Sequence, residues 1–180
     1  MVTSLACGLP GKLTMSTIAM LFFPFAMALA ASSDLLTMKI SNKLVLLLVA
    51  GFFIVAIAIN LPLQQLALHV MCALSVLVVG FVLFALRWIG GGDAKLAAAT
   101  TLWLGFGLTP MFVVYAGVLG GVLTLSILAL RRFPLTPFLA RYRWLERLHN
   151  PKSGIPYGVA MAIAGMVVYS NSTIFQQLTA

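Results

Sequence analysis

Long stretches without a charged side chain recur along this chain, and they constrain its fold more than any other feature. A helix needs roughly 20 mostly apolar residues to cross a hydrocarbon core about 30 Å thick. Runs of about that length cover residues 16–33, 44–61, 66–88, 94–108, 112–130 and 157–175. They predict an all-α polytopic membrane protein of about six transmembrane helices, a single integral membrane domain over residues 1–180. The fourth and fifth runs are separated only by residues 105–110, where Gly105, Gly107 and Pro110 argue for a break instead of one very long helix. Composition agrees: 62% hydrophobic and 8% charged residues, with a mean hydropathy of +1.12, exclude an ordinary soluble domain.

The charges that remain set the orientation. Eleven are Lys or Arg and three are acidic. Ten of the bases fall in alternate connections: Lys39 and Lys43, then Arg87 and Lys95, then Arg131, Arg132, Arg141, Arg143, Arg147 and Lys152 in a basic loop over residues 131–156. By the positive-inside rule these connections are cytoplasmic and both termini lie on the non-cytoplasmic side. Lys12, the apolar run from Ile18 to Leu29 and Ala28-Leu29-Ala30 imitate a cleavable signal peptide, but removing that segment would place every basic loop outside. The net charge of +8 is too dispersed to form a groove for nucleic acid, so the partner expected for it is anionic lipid on the cytoplasmic side. Within the basic loop, Phe138, Tyr142, Leu145 and Leu148 recur at helical spacing among arginines, as in a short helix lying in the interface.

No cofactor or metal site is expected. Cys7 and Cys72 are far apart, without a CxxC pair to suggest zinc or a disulfide framework.

Acids at membrane depth are costly, which makes the acidic residues the place to look for chemistry. Asp34 closes the first apolar run and Asp93 opens the fourth, so the predicted topology puts both at the cytoplasmic boundary. Glu146, flanked by Arg143 and Arg147, reads as part of a solvated charge cluster. Two carboxyl groups brought close cannot both ionise cheaply, so one keeps a proton; the pair then activates a water while the protonated member polarises a carbonyl. Gly90-Gly91-Gly92 before Asp93 leaves room for a peptide backbone to approach.

These residues also carry a resemblance. The stretch from Asp34 through Ile40 and Ser41 to Asn42, together with Gly90-Gly91-Gly92-Asp93-Ala94-Lys95, resembles the two signatures of type IV prepilin peptidases, GxGD membrane aspartyl proteases. The run Lys152-Ser153-Gly154-Ile155-Pro156-Tyr157-Gly158 is similar to a third. The chain departs from the pattern at Ser41, where the family has proline, and at Leu36, where a basic residue is frequent. The resemblance implies a leader peptidase with Asp34 and Asp93 as catalytic residues and Lys39, Asn42, Gly90, Gly92, Lys95, Pro156 and Gly158 in support. It also implies residence in the bacterial inner membrane and a prepilin substrate with a short basic leader and an apolar helix. The short connection after Asp34 has no cysteine, which resembles the tight-adherence (Flp pilus) branch and argues against pilin methylation. The alternative from another class is a small ion-coupled transporter with Asp34 and Asp93 as proton or cation sites, although such sites usually lie near mid-membrane. His69 falls near the opposite boundary and is expected to be an interfacial or hydrogen-bonded histidine.

Overall fold

The structure is a computed structural model that describes residues 10–134, 142–151 and 153–179, with residues 10–16 described as backbone alone. Seven α-helices form its described part: α1 (Pro10–Thr37), α2 (Asn42–Ala58), α3 (Leu63–Ala85), α4 (Gly91–Leu130), α5 (Arg143–His149), α6 (Tyr157–Tyr169) and α7 (Thr173–Thr179). There is no strand among the described residues, in keeping with the all-helical expectation. Residues 17–37, 63–85 and 91–130 are each long and apolar enough to cross a membrane, and α2 is a shorter apolar helix of 17 residues. The last apolar run, expected to be one span over 157–175, is instead two helices bent by 50°. The polar string Ser170-Asn171-Ser172 interrupts it, and Ser172 Oγ accepts from Phe175 N at 3.1 Å to start α7 afresh. Among the described residues there are three spans by length and composition, or four with the bent pair, where the sequence suggested about six.

Much of that difference lies in α4. Forty residues of straight helix would reach about 60 Å, yet Gly91 and Arg131, at its two ends, line a single cleft. The helix is therefore folded on itself. The bend falls at Gly105, whose φ of 70° and ψ of 177° lie where only glycine sits without strain. The break expected between residues 105 and 110 is thus at its first glycine, with Pro110 carried inside the second leg.

Side chains of α3 hold the bend. His69 is buried, its Nδ1–H donates to Leu102 O at 2.8 Å, and its ring closes on Gly105. Thr109 Oγ1 donates to Gly105 O at 2.7 Å, which leaves the Cys72 thiol to donate to Thr109 Oγ1 at 3.1 Å. Further along, Gly80 lets α3 pack directly on Ala94, so α3 runs antiparallel to the first leg, residues 91–104. His69 is therefore hydrogen-bonded, one of the two roles expected of it.

The core sits among α1, α2, α4 and α6. Fully buried Trp103 donates its Nε1–H to Leu48 O at 3.0 Å, with the rings of Phe22, Phe23, Phe52 and Tyr169 at 5.3 to 6.1 Å. Such ring pairs contribute about 0.5–1.5 kcal/mol each beyond burial. Gly165 admits Met27, Phe23 and Thr100 between α6 and its neighbours. The outer surface is apolar, with Ile57, Leu63, Phe81 and Leu125 all exposed, as befits helices that face lipid.

Candidate active site

Asp34 lies in the last turn of α1, three residues before the helix ends, and is 5% exposed. The tight connection that follows is fixed by its own polar groups. Met38 adopts φ 55° to end the helix, while Ser33 Oγ and Thr37 Oγ1 donate to Lys39 O at 3.0 and 3.1 Å. Ser41 then caps α2, accepting from Lys43 N at 3.2 Å. Its φ of −68° is the angle a proline ring imposes, so a proline would fit this backbone.

Asp93 is the third residue of α4 and partly buried. Gly90 is the N-cap, and the Asp93 carboxylate reaches back to the Gly90 backbone, satisfying a donor that a helix start otherwise leaves open.

Ile40 and Gly158 join the two acids. The Gly158 N–H donates to Asp34 Oδ2 at 2.7 Å. A β-carbon on Gly158 would stand 2.7 Å from Asp34 Oδ2 and 3.0 Å from Ile40 Cδ1, while one on Gly92 would stand 3.3 Å from Ile40 Cβ. Ile40 thus packs against the glycine before Asp93 and the glycine that bonds Asp34. Both aspartates open into one cleft of about 1260 Å³, lined also by Lys39, Gly90 and Gly92. Pro156 N-caps α6 and so brings Gly158 into its first turn.

Two residues expected in support lie elsewhere. Lys95 Nζ donates to Asn42 Oδ1 at 3.1 Å, tying α4 to α2, and Lys95 borders a separate apolar groove with Val45, Leu74 and Ala99. Two residues after Asp93 on a helix means a turn of about 200°, so its side chain leaves on the far side of α4 from the cleft.

The basic loop also differs from expectation. Phe138 and Arg141 lie outside the described residues. The rest of the expected interfacial helix is α5, but its Leu148 is buried, and Arg147 Nη1 donates inward to Leu36 O at 3.2 Å. Arg131 donates from Nε to Leu148 O at 2.9 Å and from Nη2 to Ser153 O and Gly154 O at 3.2 and 3.3 Å. Arg131 therefore clamps the segment that leads to Gly158, and Arg147 ties α5 to the end of α1. Charge counting gave them a role in topology and in attraction to anionic lipid, because a carbonyl partner leaves no mark in the sequence. Glu146 is exposed, as a solvated charge should be.

No curated protein and no solved structure matches the chain. A profile of the type IV leader peptidase family does, over residues 21–125, which include both Asp34 and Asp93 and end before the third motif. That match favours peptide hydrolysis over ion transport. With apolar helices around a two-aspartate cleft and more than half its length matched, this membrane protein belongs to the type IV leader peptidase family.

Proposed function

We propose that the protein is a membrane aspartyl endopeptidase that removes the short basic leader of Flp-type prepilins at the cytoplasmic surface of the bacterial inner membrane. The observation that carries this reading is the meeting of Asp34 and Asp93 in one cleft, although 59 positions separate them. In the proposed reaction a carboxylate takes a proton from water, whose oxygen attacks the scissile carbonyl carbon. The protonated partner donates to the carbonyl oxygen. Collapse of the tetrahedral species breaks the C–N bond, gives the leader a carboxylate and returns a proton to the new amine. Gly158 holds one oxygen of Asp34, and the Gly90-Gly91-Gly92 run lines the Asp93 side of the cleft, where it admits Phe84 and Ile40 close to the backbone.

The proposed orientation has six crossings, made by α1, α2, α3, the two legs of α4, and the α6–α7 pair, with the acids and ten bases at the cytoplasmic end. The fold-back at Gly105 supports that count. Only residues 38–41 separate α1 from α2, which supports the short branch and an enzyme that cleaves without methylating. Co-expression with a Flp-type prepilin tests the reading. A mobility shift of the pilin is expected, and Asp34→Asn and Asp93→Asn should each abolish it; processing unchanged in either variant removes that aspartate from the reaction.

A further inference from the structure

The cleft does not stop at the aspartates. From them it continues along the second leg of α4 to Ala116, Val113 and Phe112, opposite Leu83 of α3. Phe112 is only seven residues past the bend at Gly105, whereas Gly120, which packs on the Tyr157 ring, is level with the start of α6 where Gly158 meets Asp34. The leg from Phe112 to Gly120 therefore spans about 12 Å, or two helical turns, from deep in the apolar layer to the level of the acids. At the far end the Cys72–Thr109 contact closes the gap between α3 and this leg. The cleft is thus a wedge, closed within the apolar layer and open at the acids.

We propose that this wedge seats the first two turns of the substrate's apolar helix, between α3 and the second leg of α4. The inference rests on the peptidase reading above and adds to it the place where the substrate binds. A peptide crossing the two acids and continuing into hydrocarbon must satisfy its own amides, which a single segment does only as a helix. The wall it meets is built for close approach. Gly117, which lines the cleft, and Gly121, one turn on, each have open space beside the helix where a β-carbon would stand. Glycines spaced four apart let helix backbones pack closely in a bilayer, where van der Waals contact and not water exclusion drives association. The wedge shape selects an end-on helix whose start is at the acids, and so a scissile bond just ahead of the helix. Val114 and Val118, which do not line the cleft and are each turned about 100° around the leg from Val113 and Gly117, supply an internal control.

The test uses a synthetic peptide with a short basic leader, a glycine and a 20-residue Leu/Ala helix, reconstituted with the protein in liposomes. Single cysteines are placed in the first two helix turns of the peptide. On the protein, with Cys7 and Cys72 replaced and Asp93→Asn blocking cleavage, they are placed as Val113→Cys, Gly117→Cys, Val114→Cys or Val118→Cys. Disulfide yields at Val113 and Gly117 should exceed those at Val114 and Val118 by at least about fivefold, as contact across a packed helix pair requires. In the otherwise native chain, Gly117→Leu should raise KM for the peptide about tenfold, the loss of roughly 1.4 kcal/mol of binding. Even yields at all four positions overturn the docking site. So does Gly117→Cys pairing only with another copy of the chain, or an absence of cross-links to a peptide that the native protein cleaves, which would leave lipid as the occupant. If the native protein does not cleave the peptide at all, the peptidase reading fails and the docking site fails with it.

Discussion

The main-chain N–H of Gly158 donates to Asp34 Oδ2 at 2.7 Å, a contact that spans 124 residues of sequence. A backbone donor at the start of a helix cannot rotate away as a side chain can, so α6 fixes the direction of this carboxyl. One oxygen is held and the other is left for chemistry. The same glycine has no room for a methyl group, because the carboxyl and Ile40 occupy that space.

Gly158→Ala should therefore leave the helical fold intact and disable the site. A shift of the carboxyl by about 1 Å lowers the rate roughly 100-fold. Cleavage kinetics in detergent or liposomes, with circular dichroism to confirm folding, check this. A variant that cleaves at the native rate would mean that the Asp34 position is not held by Gly158.

Arg131 reaches three carbonyls of the segment that precedes Gly158, at 2.9, 3.2 and 3.3 Å. Lysine keeps the charge but not the planar fork. Arg131→Lys should lose at least one charge-assisted bond of about 1.5–3 kcal/mol. If Arg131 positions Gly158, the loss appears mainly in kcat, with KM for prepilin little changed. A reduced thermal midpoint with native kcat would assign Arg131 to stability alone.

The cap at Ser41 allows a two-sided comparison. Ser41→Ala should cost about 1 kcal/mol through loss of the bond to Lys43 N. Ser41→Pro, with φ already at −68°, should keep cleavage near the native level. Thermal unfolding of the two variants, followed by tryptophan fluorescence, gives the comparison.

The bend at Gly105 sits where a side chain is strained and where the His69 ring already lies 3.1 Å from the position a β-carbon would take. Gly105→Ala should cost about 1–3 kcal/mol, and His69→Ala a similar amount by leaving the buried Leu102 O without its side-chain donor. Both should lower the thermal midpoint. Neither residue touches the aspartate cleft, so the activity of the folded fraction should be retained.

The two acids and the helical class were legible because charge is rare in this chain and each uncharged run is a physical requirement of the bilayer. A break was legible from two glycines and a proline within six residues, but only Gly105 makes it, through a positive φ, while Gly107 and Pro110 continue as helix. The bend of the last apolar run was missed, since three small polar residues inside it still leave an apolar average. Lys95 could be read as a support of the aspartates or as an interfacial lysine, because nearness in sequence to Asp93 says nothing about helix face. Ile40 stood within the first signature, but its packing on Gly92 and Gly158 was not legible, nor were the bonds of Arg131 and Arg147 to carbonyl oxygens, because these depend on tertiary contacts that no local pattern encodes.

The central claim is that Asp34 and Asp93 act as one catalytic unit. Its most direct test is the rate of prepilin cleavage by Asp34→Asn, Asp93→Asn and the double variant, each folded and reconstituted. Residues that act together are strongly non-additive, so each single change should lower kcat by about 1,000-fold or more and the double variant should be no worse than either. Substantial cleavage by one single variant, or losses that multiply in the double variant, would contradict it.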